Sequence, residues 1–138
     1  MPVKYAVEMT AIAERVYRRI YDDAQECLRI EDTSNSRVKL LRIVDDALDN
    51  LIPHDPFSPD RALSGFLSNT FRIKKGRLRI CYIGSSQKRR ITILYISDTP
   101  RKLGDVHDPY AVFTSLVMSG KFDEAFDALG VRRPNRRK

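Results

Sequence analysis

Arg72 and Lys74 stand two residues apart in one alternating segment, and Arg77 and Arg79 stand two apart in the next. Phe71 and Ile73, then Leu78 and Ile80, fill the positions between them. Side chains on a strand alternate between faces, so this spacing gathers cations on one face and apolar groups on the other. A two-residue turn at Lys75-Gly76 would set Lys74 opposite Arg77, Ile73 opposite Leu78, Arg72 opposite Arg79 and Phe71 opposite Ile80. Like charges opposed across a sheet destabilise it. A fold that keeps two such pairs with no carboxylate nearby in sequence suits the binding of an anion, and arginine adds paired contacts to phosphate oxygens. The plainer alternative is a solvated strand edge whose charges deter aggregation. Lys88-Arg89-Arg90 falls at a loop tip, where a solubilising turn and a contact to a nucleic-acid backbone are equally good readings.

Charge counting sharpens the first reading. The chain has 138 residues and a formal net charge of +7. Residues 1–60 carry 8 basic and 12 acidic side chains, whereas residues 61–103 carry 11 basic ones against Asp98 alone. Residues 104–138 are nearly balanced, with 6 basic and 5 acidic. The excess therefore belongs to the segment with strand periodicity, and it points to a polyanionic partner.

The elements that must position these cations follow from the hydrophobic pattern. Tyr5 to Met9 is strand-like, and Thr10 can cap a helix whose apolar face runs Ala13, Val16, Tyr17, Ile20, Tyr21, Ala24, Cys27 and Leu28. Thr33 to Ser36 breaks it, and Val38, Leu41, Val44, Leu48, Leu51 and Ile52 mark a second helix, so the two form an antiparallel αα-hairpin. Pro53 to Asn69, with three prolines and Gly65, reads as an ordered loop. Three strands follow from Phe71, Leu78 and Arg90, the last apolar on both faces from Ile93 to Ile96 and so covered on both sides at the sheet centre. Asp108-Pro109 opens a helix that Gly120 stops, and a short helix from Phe122 to Leu129 ends the fold. The expectation is one domain over residues 1–130, with a helical extension from about 108, and a disordered basic tail over 131–138.

Other chemistry is poorly supported. Cys27 and Cys81 lack partners at metal-ligand spacing and read as reduced packing residues. His54 and His107 are far apart in sequence, and Asp45, Asp46 and Asp49 read as a solvated helix face rather than a metal site. Tyr17, Tyr21, Phe113, Phe122 and Phe126 take core positions, while Tyr82 or Tyr95 could stack a base, although Tyr82 alternates onto the buried face. No apolar run is long enough to span a bilayer and the N-terminus lacks the pattern of a secretion signal, so a cytoplasmic protein without cofactor, metal or membrane partner is expected.

The ordered set of a strand, an αα-hairpin, Leu63-Ser64-Gly65, Phe71-Arg72-Ile73-Lys74, Leu78-Arg79-Ile80-Cys81-Tyr82 and Ile91-Thr92-Ile93-Leu94-Tyr95-Ile96 resembles the RelE/ParE superfamily of toxins from type II toxin-antitoxin modules. The resemblance covers residues 3 to about 110. It implies an α+β fold in which the N-terminal strand and αα-hairpin pack on a small, mostly antiparallel four-stranded sheet, with C-terminal helices. It also implies a cognate antitoxin that covers or distorts the basic face in a hetero-oligomer, with mRNA, bound at the ribosome, as the target of RelE-like members. By position in the motifs, the cleavage residues are Arg72, Lys74, Arg79 and Arg101, with Tyr110 as the candidate tyrosine. Lys75, Arg77, Lys88, Arg89, Arg90 and Lys102 are then candidate RNA contacts. Cleavage by the RNA's own 2′-hydroxyl needs a base, an acid and cations around the phosphate. Lys74 is the candidate base, because a lysine crowded by cations gives up its proton more readily. Arg72 and Arg79 would neutralise the phosphate, and Arg101 or Tyr110 would serve the leaving 5′-oxygen. Two other functions stay open: a toxin of the same fold that inhibits DNA gyrase, and a nucleic-acid-binding module without catalysis.

Overall fold

The computed structural model describes residues 4–134. It is an α+β fold built on one sheet of four strands: β1 (Ala6–Met9), β2 (Phe71–Lys75), β3 (Leu78–Ser85) and β4 (Arg90–Ser97). Their order across the sheet is β1-β4-β3-β2, with β1 parallel to β4 and the other pairs antiparallel. β4 is therefore internal, which is why its apolar run is buried on both faces.

The helical hairpin packs on one face of the sheet. Its first helix is α1 (Ala11–Arg29), and its second is α2 (Ser36–Asp46), continued by a π-helical turn at Ala47–Leu51 and a last turn, α3 (Ile52–His54). Asn35 caps α2 by accepting from the Arg37 N–H at 2.9 Å. Ile20, Ala24, Val38, Val44 and Ile52 meet Ile73, Ile80, Tyr82, Ile91 and Ile93 in the larger core. Tyr21, expected in this core, is instead 44% exposed: one turn beyond Tyr17 on the same flank of α1, it lies against the Tyr17 ring rather than the sheet. Two further helices, α4 (Pro109–Met118) and α5 (Asp123–Leu129), cover the other face, where Phe113, Val117, Phe122 and Phe126 meet Cys81, Ile83 and Leu94.

The first hairpin departs from its expected register. Lys74 pairs with Arg79, Ile73 with Ile80, Arg72 with Cys81 and Phe71 with Tyr82, so the turn is Gly76-Arg77 rather than Lys75-Gly76. Gly76 has φ +58. A hairpin turn with a positive φ at its first central residue takes glycine there, and placing Gly76 first moves the turn one residue onward. Arg72, Lys74 and Arg79 still share a face, whereas Arg77 leaves it for the tip. Neither expected cation pair survives: Arg72 faces Cys81, and Lys74 and Arg79 form a single new pair.

A second irregularity lies between β3 and β4. Cys81 pairs with Tyr95 but Tyr82 pairs with Ile93, so Leu94 is a bulge residue. The extra residue turns both Leu94 and Tyr95 toward the α4–α5 face and returns Ile96 to the larger core. Thr10 holds this point from the neighbouring strand end. Its N–H donates to Ile93 O at 3.0 Å, and its hydroxyl donates to Leu94 O at 2.8 Å while accepting from the Ala13 N–H at 3.1 Å.

The Pro-rich segment is ordered, as expected, and crosses the far edge of the sheet. The Tyr82 hydroxyl donates to Pro56 O at 2.6 Å, and Leu63 N–H to Thr70 O at 3.0 Å. Tyr5, Phe57, Phe71 and Tyr82 form a chain of rings with centroids 5.4–5.8 Å apart. At the C-terminus the ordered chain passes beyond 130. Val131 N–H donates to Phe126 O at 3.0 Å, and Arg133 pairs with Asp127 and Asp123, holding the Asp127 carboxyl below its ordinary range. The rest of the basic stretch, 135–138, lies outside the described residues.

Thr10→Val keeps the shape of the side chain but removes both hydroxyl contacts. Urea unfolding is expected to show a loss of about 1–2 kcal/mol, with Thr10→Ser recovering most of it.

Candidate functional site

On the α4–α5 side of the sheet, beyond the edge of that core, Arg72, Lys74, Arg79, Arg101 and Tyr110 line one cavity of about 460 Å³. Leu63, Ser64 and Leu67 of the ordered loop complete the wall, and no acidic residue lines it. Strand pairing fixes the floor: Lys74 lies opposite Arg79, and Arg79 opposite Ser97 at the end of β4. Arg101 follows four residues after Ser97, and Tyr110 enters from the first turn of α4.

Each cation is held differently. Arg79 is buried, and its Nη1 donates to Gly76 O at 2.6 Å and Leu78 O at 3.0 Å. Its Nε is also buried and has no acceptor among the described residues. Arg72 donates to Asp60 O at 3.3 Å, at the start of the loop that walls the cavity. Lys74 is exposed. Beneath them Cys81 is buried, and that burial pushes its thiol up to about 12 even though Arg72 and Arg79 pull it down. Cys81 is therefore a neutral packing group and not a thiolate nucleophile.

Arg101 is positioned by Asp108. The Asp108 carboxylate accepts from Arg101 Nη1 at 2.8 Å, from Lys102 N–H at 2.8 Å and from Tyr110 N–H at 3.2 Å. The Arg101 guanidinium carbon in turn lies 4.6 Å from the centre of the Tyr110 ring, a cation–π contact. Burial raises the Asp108 pKa, but the Lys102 N–H, the Arg101 charge and the N–H groups of Tyr110 and Ala111 outweigh it and hold the carboxyl below its ordinary value. One side chain thus caps α4, closes the β4–α4 loop and aims a guanidinium into the cavity.

The YhaV family, described as a toxin with endonuclease activity, of toxin-antitoxin system, matches residues 8–133. The chain belongs to this family. A chain of the toxin-antitoxin complex RelBE2 from Mycobacterium tuberculosis has the same fold, with a TM-score of 0.52 at 20% identity, covering 70% of this toxin and 93% of that chain. A chain of the intact E. coli RelBE toxin-antitoxin complex matches with a TM-score of 0.43 at 16% identity, covering 70% of this toxin and 99% of that chain. No curated protein matches the sequence.

The toxin's remaining candidate residues lie elsewhere. Lys75 and Arg77 line a separate cleft on the α1–α2 side of the hairpin tip. Lys88 donates from Nζ to Ala128 O at 2.7 Å near the end of α5, Arg89 takes φ +53 in the β3–β4 turn, and Arg90 pairs with Glu8. Lys102 contributes its backbone N–H to Asp108. Tyr82 is fully buried and cannot stack a base, and Tyr95 lies against Phe113 with ring centroids 5.9 Å apart. Among the described residues no group of three or more His, Cys, Asp and Glu could hold a metal ion, and no helix is long and apolar enough to cross a membrane. Asp108 was legible in the sequence only as a helix cap, and no spacing rule across the loop marks Arg101 as its second partner.

Asp108→Ala leaves the Lys102 and Tyr110 N–H groups and Arg101 without their acceptor, and urea unfolding at neutral pH should show a loss of about 2 kcal/mol, with Asp108→Asn losing less because it still caps. Because the folded carboxyl titrates below its ordinary value of 3.8, its contribution is present above that pH and disappears as pH falls through the lowered value. The stability gap between wild type and Asp108→Asn should close over that acidic window.

Proposed function

We propose that this toxin is an endoribonuclease that cuts mRNA, bound at the ribosome, through attack by the RNA's own 2′-hydroxyl. The observation that carries this reading is the convergence of Arg72, Lys74, Arg79, Arg101 and Tyr110 on one cavity lined by no carboxylate. Such a cavity is complementary to a phosphate that gains negative charge as a fifth oxygen bonds to it. Membership of a family with endonuclease activity favours cutting over gyrase inhibition or binding alone.

The geometry supports a role for each of these residues. Lys74, exposed and opposite Arg79, is the base for the 2′-hydroxyl proton. Arg79, anchored on the Gly76 and Leu78 carbonyls, supports the phosphate from below with the part of its guanidinium that lines the cavity. Arg72 closes the loop side. An arginine does not release its proton, so Arg101 stabilises charge on the leaving 5′-oxygen while Tyr110, stacked beneath it, supplies the proton. The partner in the cell is a cognate antitoxin whose acidic side chains complement this face.

Purified toxin added to translating ribosomes, with mRNA ends mapped by primer extension, tests the reading. Defined cut sites are expected, with single-turnover rates falling about 100-fold or more for Lys74→Ala and Arg101→Ala, and Tyr110→Phe intermediate. Intact mRNA, or variants within a fewfold of wild type, would remove the assignment.

A further inference from the structure

Lys74 and Lys75 are neighbours on β2, and a strand sends successive side chains to opposite faces. Lys74 enters the cavity just described, while Lys75, with Arg77 of the turn, lines a second cleft of about 520 Å³ between the hairpin tip and the helices α1 and α2. The helical layer adds Arg19, Arg37 and Lys39 to this cleft. Two carboxylates also line it, Asp23 and Asp98, and Arg19 pairs with both, at 3.6 and 2.9 Å. Arg37, Lys39, Lys75 and Arg77 are exposed, and none has a carboxylate partner among the described residues.

That concentration runs against the composition of the helical layer. Residues 1–60 hold 12 acidic side chains and 8 basic ones, yet three of the basic ones and only Asp23 of the acidic ones face the cleft. The apolar residues that reach its surface are Ile43 and part of Leu40, because Ile20 and Leu78 are buried. An amphipathic helix of a partner protein would find little to bury there, whereas a chain of phosphates finds unpaired cations on both walls.

We propose that this cleft is an accessory track for single-stranded RNA, holding the phosphates of the strand on one side of the cut as it passes over the Gly76-Arg77 tip. The proposal rests on the ribonuclease reading and adds a second contact region to it. Arg37 and Lys39 are its new residues. Both lie on α2, on the opposite side of the sheet from the cavity, so they act on affinity and not on the chemical step.

The test is binding of a labelled 2′-O-methyl RNA of about 12 nucleotides, which lacks the attacking hydroxyl, measured by fluorescence anisotropy over a range of salt. The double variant Arg37→Glu, Lys39→Glu should bind about tenfold more weakly at about 0.1 M salt. Its plot of log affinity against log salt should be shallower by about 1.4, for two phosphate contacts at about 0.7 each. Single-turnover cleavage of ribosome-bound mRNA at saturating toxin should stay within about twofold of wild type. Arg37→Gln, Lys39→Gln should show a smaller effect of the same kind, which keeps the test valid if charge reversal disturbs folding. Unchanged affinity and slope in a folded variant would overturn the track while leaving the nuclease intact. Weaker binding of the antitoxin with RNA binding unaltered would also overturn it, giving the cleft to an acidic protein segment. Wild type that neither binds nor cuts RNA would overturn both readings.

Discussion

Lys74 and Arg79 face each other across a strand pair, and their mutual repulsion is the constraint around which the site is built. Arg72 and Arg101 add to it across the same cavity. Each guanidinium is held by a different means. Arg79 lies on the Gly76 carbonyl of the turn and the Leu78 carbonyl of its own strand, Arg72 reaches a loop carbonyl, and Arg101 is drawn aside by a buried carboxylate. Lys74 has no such anchor and keeps its solvent. Backbone dipoles hold Arg72 and Arg79 without cancelling their charge, and only Arg101 is matched by a carboxylate, so the cavity stays positive while the side chains stay placed.

The sheet meets this constraint through two local departures from ideal pairing. Glycine at the first position of the β2–β3 turn sends Arg77 to the tip, so the two cation pairs that a one-residue-earlier turn would have forced are replaced by one, Lys74 opposite Arg79. The Leu94 bulge turns Tyr95 toward the helices α4 and α5 and leaves Ser97 opposite Arg79. Thr10 satisfies a bulge carbonyl with the same hydroxyl that starts α1. Helix entry and strand irregularity are thus one interaction, and the helical layer is locked in phase with the site strands.

Most of the architecture was legible in the sequence because periodicity is a local property. The αα-hairpin, the three later strands, the buried centre of β4 and the caps at Thr10 and Asp108 follow from spacing and capping chemistry. The hairpin register was not, because Lys75-Gly76 and Gly76-Arg77 both offer a two-residue turn containing glycine and both keep Arg72, Lys74 and Arg79 on one face. Tyr21 obeyed the helical period and still emerged at the surface, since the period marks the flank of a helix and not how far its partner extends along it.

By itself the sequence determined that a basic strand pair would present Arg72, Lys74 and Arg79 together, because alternation across a strand holds for any neighbouring structure. Only the tertiary structure decided that Arg101 and Tyr110 join them, and that Lys75 and Arg77 look into a different cleft. Arg101 reaches the cavity through the Asp108 carboxylate at the head of α4, a contact made after the loop closes and the helix docks on the sheet. Strand alternation acts between adjacent residues, whereas loop closure depends on where the far elements pack. The first can be read along the chain and the second only across it.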